Sequence, residues 1–410
     1  MRILYLTQWF DPEPGVIKGA AFVRALEAAG HDVTVVTGFP NYPTGRIYPG
    51  YRLRPIQRET IHGVRVVRLP LYPSHDTSSL RRSLNFLSFF LAAFAYCLLR
   101  RTRYDLAYVY HPPITVGLAA ALAGVVRRLP FVLDVQDLWP DTIAATGMAG
   151  ARRLVGPLGA ICRFVYARAR AIVVQSDGMR QALIARGVNQ AKLTTIRNWA
   201  DREPAAAAID RPHDQGRFTI VYGGNLGRAQ ALETVIDAAA ITARQRPEIA
   251  ILFYGDGVDA DDLRKRAAGN DAIRFAGSVS RSEIVEVFAA ADALLLHLRD
   301  DPLFAITIPS KTQFYLAMGR PIVAGVAGEA ADLLLRSGAA LVVPPGDAAA
   351  LAAAFVELAA MPSAEREAMA AAGPRFYAAN LSFDRAMART LAVIAGTNPA
   401  MMPDQPARTI

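Results

Sequence analysis

The sequence predicts an α/β protein of two doubly wound parallel sheets that face each other across a cleft. Short apolar runs alternate with segments of helical spacing along most of the 410 residues, as in sheets whose strands are joined by helices. The alternation pauses at 204–215, a stretch rich in Pro, Ala and Asp, and then restarts. The length also suits two domains. Ligands of such sheets bind beyond the carboxyl ends of the strands, so we expect the site in the cleft.

The first half is predicted to contain seven strands. Val33–Thr37 consists mainly of β-branched residues without polar alternation, which is typical of a strand buried on both faces. Helical spacing stops before Gly30 and Gly187, and glycine commonly ends a helix. The strands are Ile3–Thr7, Val33–Thr37, Val64–Leu69, Leu106–Tyr110, Phe131–Val135, Ala171–Gln175 and Lys192–Ile196, and the helices are Lys18–Ala29, Val116–Val126 and Met179–Arg186.

The second half repeats the pattern with six strands. The predicted strands are Phe218–Tyr222, Ala250–Tyr254, Ile273–Ala276, Ala293–Leu296, Pro321–Ala324 and Ala340–Val343, and the helices are one from about Ala229, Glu283–Ala290, Lys311–Met318 and Arg385–Ile394. The predicted domains are residues 1–200 and 201–380. Residues 381–397 form a C-terminal helix that packs back toward the first domain, and 398–410 form a tail without regular structure.

Composition and missing motifs exclude several classes of protein. A chain that is 52% hydrophobic and 20% charged is not disordered, and two cysteines do not make a disulfide framework. No G-x-G-x-x-G follows the first strand, and neither a Walker loop nor G-x-S-x-G occurs. These absences disfavour dinucleotide dehydrogenases, P-loop enzymes and serine hydrolases. The six histidines are scattered, so we expect no metal site.

Charge is divided unevenly along the chain. The net charge of +9 is the sum of +14 in residues 1–200 and −5 in residues 201–410. A basic half favours an anionic partner such as nucleic acid, an anionic membrane or a phosphorylated substrate. It lacks the helix-turn-helix or aromatic context of a nucleic-acid site, so we expect no nucleic acid. The apolar run at the N-terminus is too short for a secretory signal, and a cytoplasmic location follows.

One apolar run stands apart from the predicted core. Leu84–Leu99 is sixteen residues long and has paired arginines at both ends, so a helix there spans about 24 Å. Three interpretations compete: a buried core helix, a helix lying in the membrane interface, and a transmembrane span. The length is short for the roughly 30 Å hydrocarbon core. Because burying four guanidinium groups is costly, we favour a helix on an anionic membrane surface.

Two segments of the second half suit a phosphate group. Tyr222–Gln230 is a glycine-rich turn that follows a strand and precedes a helix, where backbone N–H groups favour an anion. Lys311 falls in the first turn of a predicted helix, where the helix dipole disfavours a cation. An anionic ligand shared by Lys311 and nearby backbone amides explains that placement. A simple turn and a solvated lysine are the alternative interpretations.

A set of short motifs, in order along about residues 1–390, resembles the family 4 retaining glycosyltransferases of the GT-B fold. The chain is most similar to the branch that builds O-antigen, capsule and colanic-acid-type polysaccharides, which includes N-acetyl-L-fucosamine transferases. The motifs are Pro40–Gly45, Tyr48–Tyr51, Asp134–Pro140, Asn198–Trp199, Gly224–Gln230, Tyr254–Gly257, Pro309–Lys311 and Gly319–Pro321.

The resemblance implies that the second domain binds a nucleotide sugar, most simply a UDP-sugar, without a metal or other cofactor. It assigns Arg228 and Lys311 to stabilising the leaving diphosphate, together with backbone amides. The other residues it implies for donor binding are Gly224, Asn225, Gly227, Gln230, Gly255, Asp256, Val279, Ser310 and Gln313.

The first domain is implied to bind the acceptor, a sugar carried on a polyprenyl diphosphate at the inner membrane surface. Asp137 is the candidate for orienting the acceptor or the donor sugar; a structural cap at the following turn is the alternative. Gly15 and Lys18 are candidates for meeting a phosphate. The full set of acceptor candidates is Gly15, Lys18, Asn41, Tyr42, Arg46, His111 and Gln136.

The chain departs from the family pattern at several positions. The family's two glutamates, eight residues apart, fall at Ile306 and Phe314, so Gln313 or Thr312 is left for the ribose contact. The usual Arg and Lys after the first strand of the second domain fall near Asn225 and Gln230. A further departure is Gln136, which stands where the family often has a histidine.

We therefore expect a retaining glycosyltransferase that is peripherally bound to the inner face of the plasma membrane. Retaining members of the family are thought to react on one face of the donor, with no protein nucleophile. Two alternatives remain: a UDP-sugar 2-epimerase of the same architecture, and a non-catalytic protein that binds nucleotide sugars. The sequence does not identify the sugar.

Overall fold

The computed structural model describes residues 1–75, 78–111, 113–142, 151–200 and 216–397. They divide into two compact units: residues 1–197 together with 384–397, and residues 198–383. The predicted linker at 204–215 and the predicted tail at 398–410 lie outside the described residues. Each unit is built around its own sheet.

The first unit contains an eight-stranded sheet in the order β3-β4-β2-β1-β5-β6-β7-β8. All its strand pairs are parallel except β3 with β4. The strands are β1 Arg2–Leu6, β2 Asp32–Gly38, β3 Gln57–Ile61, β4 Val64–Leu69, β5 Leu106–His111, β6 Phe131–Val135, β7 Ala171–Val174 and β8 Leu193–Thr195.

The edge strand β3 corrects the expectation of a wholly parallel sheet. It joins β4 through His62 and Gly63, which both have positive φ angles of 50° and 85°. Two left-handed residues make the tight turn that suits the twist of a hairpin. β3 carries mostly polar residues, because an edge strand can turn them to solvent, and its sequence therefore lacks the apolar pattern used to predict strands.

The described residues of this unit include the helices α1 Ala20–Ala28, α2 Ser79–Leu99, α3 Ile114–Arg127, α4 Ala151–Arg168 and α5 Asp177–Ala185. The second unit has a wholly parallel sheet in the order β11-β10-β9-β12-β13-β14. Its strands are β9 Phe218–Gly223, β10 Ile249–Tyr254, β11 Ile273–Gly277, β12 Ala293–His297, β13 Ile322–Gly325 and β14 Ala340–Val343.

The remaining helices are α6 Glu233–Gln245, α7 Ala260–Arg266, α8 Arg281–Ala290, α9 Pro302–Ala305, α10 Ser310–Met318, α11 Gly328–Ser337, α12 Ala348–Ala360, α13 Ser363–Asn380 and α14 Phe383–Ala395. The last helix ends against the first unit. There the Arg170 guanidinium donates to the carbonyl oxygens of Val393 and Ile394, at 3.0 and 2.6 Å, and so satisfies carbonyls that a helix end leaves unpaired.

Helix α2 is longer than the predicted run. Its 21 residues span about 32 Å, so the argument from length against a transmembrane span does not hold. By length and composition, Leu80–Leu99 passes as a membrane span. One face of α2 is nevertheless buried against the unit, where α2 packs on α3. The opposite face bears leucines that are 42–82% exposed, here called the leucine stripe: Leu80, Leu84, Leu87, Leu91 and Leu99.

A buried ion pair joins the loop before α1 to β6. The side chains of Lys18 and Asp134 are both fully buried, and the Lys18 Nζ atom donates to Asp134 Oδ2. Tyr108 Oη donates to the same oxygen at 2.5 Å, and Gln136 Nε2 donates to Asp134 Oδ1 at 2.5 Å. A buried charge is tolerated when its partners are this complete. The network therefore holds the loop after β1 against the centre of the sheet.

Replacing Lys18 with Met is expected to lower the free energy of unfolding by about 3 kcal/mol, because it leaves the Asp134 carboxylate buried without its counter-charge. Chemical denaturation followed by circular dichroism measures this. The matched control is Lys265→Met, since Lys265 is 78% exposed in its pair with Asp262 and its loss should cost less than about 0.5 kcal/mol. Equal losses in the two variants would contradict the buried-pair interpretation.

Candidate functional site

The carboxyl ends of β9, β10 and β11 meet through their backbones. Gly224 N donates to the Tyr254 carbonyl oxygen at 2.7 Å, and Gly255 N donates to the Gly277 carbonyl oxygen at 2.8 Å. The φ angles of Gly224 and Gly255 are 132° and 131°, a region open to glycine alone. A Cβ atom on Gly255 would lie 1.9 Å from the Gly224 oxygen. At this edge of the sheet, Gly224 and Gly255 therefore expose backbone atoms that no side chain covers.

Lys311 lies beside this backbone, in the first turn of α10. Its Nζ atom is 3.8 Å from the centroid of the Tyr222 ring and donates to Tyr222 Oη at 2.5 Å. A Cβ atom on Gly224 would lie 2.6 Å from Lys311 Cε, so glycine is needed to admit the lysine. Among the residues that the structure describes, Lys311 has no carboxylate partner. Burial lowers the pKa of Lys311 to about 7.

The other predicted donor residues surround this point in the second unit. Arg228 is 77% exposed, and its Nε atom lies 3.9 Å from Asp259 Oδ1, so solvent weakens this pair. Asn225 Nδ2 is 3.5 Å from Gln230 Oε1, and Asp256 Oδ1 accepts from Gly257 N at 2.9 Å. Gly227 is buried, whereas Ser310 and Val279 are exposed. Lys311 is therefore the half-buried basic residue of this set, and Arg228 is a solvated one.

Gln313 departs from the prediction that it contacts a ribose. It is 1% exposed, and its side-chain amide faces the carbonyl oxygens of Pro309 and Ser310. The hydrogen bonds of its amide nitrogen therefore stabilise the start of α10. At the neighbouring position, Phe314 packs on Phe288 with a ring-centroid distance of 5.9 Å. A ring in this apolar contact explains why the family glutamate has no equivalent here.

His297 is a residue of this region that the sequence reasoning missed. It is 1% exposed at the end of β12, and its Nδ1 atom lies 2.7 Å from the Gln230 carbonyl oxygen. Its Nε2 atom accepts from Gly346 N at 3.4 Å, so Nδ1 carries the proton. Burial lowers the pKa of His297. The neutral ring thus fixes the end of the glycine-rich turn through the Gln230 carbonyl oxygen. The next residue, Ala231, has a positive φ of 46°. A lone histidine at a strand end gives no sequence signal for this role.

In the first unit, the residues after β6 form a second polar group. Gln175 Nε2 donates to the Gln136 carbonyl oxygen at 2.5 Å, so Gln136 is engaged on both its side chain and its backbone. Asp137 is half-buried, and its carboxyl group has no hydrogen-bond partner among the described residues. Burial raises its pKa. Asp137 is therefore a carboxyl group ready to accept from a ligand hydroxyl.

His111, at the end of β5, is fully buried, and neither ring nitrogen has a hydrogen-bond partner in the described part of the chain. Burial lowers its pKa to about 3, so the ring is neutral. Asn41 and Tyr42 are held by Glu13, whose Oε1 atom accepts from both backbone N–H groups at 2.8 Å.

The remaining acceptor candidates are Gly15, Arg46 and Lys18. Gly15 and Arg46 are exposed loop residues. Lys18 departs from the expectation that it meets a phosphate, because its ammonium is fully buried against Asp134. The structure therefore leaves His111 and Asp137 as neighbouring acceptor-side groups, at the carboxyl ends of the adjacent strands β5 and β6.

Two domain families match the chain. Residues 20–199 match the glycosyl transferase 4-like domain, and residues 217–361 match the glycosyl transferases group 1 domain. The chain carries the two domains of a family 4 glycosyltransferase. Lys311 and the glycine-rich turn lie in the group 1 domain, whereas Asp137 and His111 lie in the 4-like domain.

Two curated relatives of this chain come from bacteria. WbjE of Pseudomonas aeruginosa, named as a glycosyltransferase, is 29% identical over 244 residues, which are 56% of this chain and 59% of the relative. WcaI of Escherichia coli, whose name assigns it to colanic acid biosynthesis, is 27% identical over 339 residues, which are 78% and 82% of the two chains. The match to WbjE thus spans less than two thirds of that relative.

Solved structures of similar fold cover nearly the whole chain. HepE of Anabaena, solved with UDP and glucose, gives a TM-score of 0.66 at 17% identity and covers 96% of this chain and 99% of its own. Sucrose-phosphate synthase of Thermosynechococcus elongatus gives a TM-score of 0.70 at 18% identity and covers 97% of this chain and 98% of its own. These likenesses confirm the predicted GT-B fold class of two α/β domains.

Lys311 makes the stability of the protein depend on pH. Its pKa is about 7 when folded and rises to the usual value of 10.5 when unfolded. Between these values the unfolded chain binds more protons, so stability increases with pH. Between pH 7.5 and 9.5, chemical denaturation should show the free energy of unfolding of the wild type rising relative to that of Lys311→Met. The expected rise is up to about 1.4 kcal/mol per pH unit. A difference in the free energy of unfolding that does not change with pH would contradict the lowered pKa of Lys311.

Proposed function

We propose that this protein is a retaining glycosyltransferase that moves a sugar from a UDP-linked donor to a glycan on a polyprenyl diphosphate, in the synthesis of a bacterial surface polysaccharide. The observation that carries the proposal is Lys311, a half-buried lysine without a carboxylate partner in the described residues, set beside the backbone of Gly224. The name of WcaI supports the pathway, and HepE with UDP supports the nucleotide.

The donor diphosphate supplies the charge that this site lacks. An anion beside Lys311 restores its full protonation, because the added negative charge raises the lysine pKa. The first backbone N–H groups of α10 lie at the same place and favour an anion. As the glycosidic bond breaks, negative charge grows on the β-phosphate, and a fixed cation in a buried site stabilises it strongly. We propose that Lys311 acts in this way without a divalent metal, and that the solvated Arg228 assists.

The acceptor side is proposed to position one hydroxyl group. Asp137, half-buried and with no partner for its carboxyl group in the described residues, accepts a hydrogen bond from a sugar hydroxyl. The acceptor oxygen forms the new bond to the anomeric carbon while the bond from that carbon to the phosphate oxygen breaks. The departing phosphate takes the acceptor proton on the same face, so the configuration is retained. N-Acetyl-L-fucosamine is one candidate for the transferred sugar, on the resemblance to transferases of that sugar.

The leucine stripe of α2 supports a peripheral location at the inner face of the plasma membrane. Five exposed leucines on one helix face form an apolar surface too large to leave in water without cause. α2 contains no acidic residue, and arginines stand at both ends, among them Arg81 and the exposed Arg101. Apolar burial combined with attraction to anionic headgroups is the usual basis of interfacial binding. A lipid-linked acceptor is then presented at the surface where the protein binds.

Incorporation of a radiolabelled UDP-sugar into a polyprenyl-diphosphate glycan tests the proposed reaction. Lys311→Met is expected to lower kcat about 100-fold, because the leaving phosphate loses its charged partner, while Lys265→Met retains full turnover. Label that stays water-soluble in a new sugar would indicate an epimerase, and binding without conversion would indicate a non-catalytic protein. Either result overturns the proposal, as does wild-type turnover in Lys311→Met.

Flotation with liposomes tests the membrane surface. Wild-type protein is expected to float with vesicles that contain 30% anionic lipid, and the double change Leu87→Ser with Leu91→Ser should reduce the bound fraction at least tenfold by removing buried apolar area. Leu335→Ser is the matched control, because Leu335 is 59% exposed in the second unit, outside the stripe. Equal binding of the double variant and the control would contradict the role of α2.

A further inference from the structure

Five aromatic rings follow one another along one edge of the first unit, here called the aromatic row: Tyr42, Trp9, Phe86, Trp139 and His111. The ring centroids are 5.8 Å apart from Tyr42 to Trp9, 6.5 Å to Phe86, 6.0 Å to Trp139 and 6.4 Å to His111. These separations are those of direct ring contact. The row is therefore continuous, although its members come from five separate segments of the chain.

Four of the rings come from positions at or just beyond the carboxyl ends of parallel strands. Trp9 follows β1, Tyr42 follows β2, His111 ends β5 and Trp139 follows β6. Parallel α/β sheets bind their ligands at this edge. Phe86 is the fifth ring and comes from α2, where it directly precedes the exposed Leu87 of the leucine stripe. The row thus runs between the membrane-facing helix and the predicted acceptor side.

Partial exposure separates the row from the core. Trp9, Tyr42 and Phe86 are half-buried, and Trp139 is 7% exposed. The core aromatics beneath the same sheet edge, Tyr5, Phe22 and Tyr108, are all fully buried. Rings that served packing alone would be fully buried, as these three core aromatics are. The exposed parts of the row instead form an apolar shelf open to a ligand.

The buried end of the row carries polar groups that need a partner. Both ring nitrogens of His111 lack one among the described residues, although the ring is fully buried. The carboxyl group of Asp137, two residues before Trp139, has none in the same part of the chain, and Asp137 is half-buried. An unsatisfied buried polar group costs about 1–3 kcal/mol, and such groups in a native structure point to a missing partner. A ligand with several hydroxyl groups supplies one.

We propose that the aromatic row is the binding platform for a sugar ring of the acceptor, with its hydroxyls bonded to His111 and Asp137. The inference rests on the proposed glycosyltransferase function and assigns new roles to Trp9, Phe86 and Trp139. The apolar C–H face of a pyranose packs on aromatic rings, while its hydroxyls need hydrogen-bond partners, and the row with its polar end provides both. The lipid part of the acceptor then lies toward α2.

Tryptophan fluorescence reports on this platform directly. The chain has three tryptophans, of which Trp9 and Trp139 belong to the row and Trp199 packs on Phe383 in the second unit. In a Trp199→Phe background the emission therefore comes from the row alone. The probes are a short-chain prenyl diphosphate and the same lipid bearing glucose, galactose or N-acetylglucosamine, each titrated separately. We expect a shift in emission with at least one sugar-bearing probe and none with the bare lipid.

Kinetics with the sugar-bearing acceptor separate a binding role from a structural one. Trp9→Ala and Phe86→Ala should each raise the acceptor KM about tenfold and leave the donor KM unchanged. Trp9→Phe keeps a ring and should restore most of the affinity. The matched control is Phe94→Ala, on the same helix but outside the row, where the ring stacks on Phe90 at 6.0 Å. Its acceptor KM should stay at the wild-type value.

The outcomes distinguish this inference from the proposed function. An equal emission shift with the bare lipid, or no shift with any probe, overturns the platform. The same holds for an unchanged acceptor KM in a folded Trp9→Ala variant that still transfers sugar. Calorimetry with UDP tests the donor site separately: a protein that does not bind UDP and transfers no sugar overturns the proposed function, whatever the tryptophan emission shows.

Discussion

The site in the second unit depends on a half-buried lysine without a carboxylate partner in the described residues. Lys311 reaches its position over the Tyr222 ring only because Gly224 has no side chain. Gly224 in turn is fixed by its hydrogen bond to the Tyr254 carbonyl, and any side chain on Gly255 would clash with it. The Gly–Gly contact therefore sets where the charge lies. The cost of burying that charge favours any ligand that brings a negative group to it.

Lys18 and Lys311 show how the same side chain takes opposite roles. Lys18 is fully buried, but Asp134 neutralises it and Tyr108 completes the hydrogen bonds of the carboxylate. Such a closed network has no capacity left for a ligand. Lys311 has the neutral phenol of Tyr222 in place of a carboxylate, and its positive charge remains uncompensated. The first lysine therefore stabilises the fold, and the second one destabilises the empty protein in a way that ligand binding reverses.

Sequence periodicity predicted the buried strands well, because their apolar runs follow directly from burial on both faces. Val64–Leu69 and Phe131–Val135 were placed to the residue. The edge strand β3 was missed, since nothing apolar marks it. Side-chain contacts could not be predicted from periodicity either. It does not show that the Gln313 amide bonds to the start of its own helix, or that His297 bonds to the glycine-rich turn. The sequence likewise identified α2 as exceptional. It did not show that Phe89 faces the core while Leu87 faces solvent.

For the proposed membrane association, the attachment of α2 favours a helix that lies on the membrane over one that crosses it. Asn85, only 2% exposed, accepts from Gln8 Nε2 at 2.6 Å and donates to the Tyr72 carbonyl oxygen at 2.7 Å. A helix that left the unit to span a bilayer would take this amide into hydrocarbon and leave the buried Gln8 side chain without its bond, at a cost of several kcal/mol. Gln8 also directly precedes Trp9, so the contact that retains α2 on the unit positions the first tryptophan of the aromatic row as well. An interfacial helix keeps these bonds while its leucines enter the lipid.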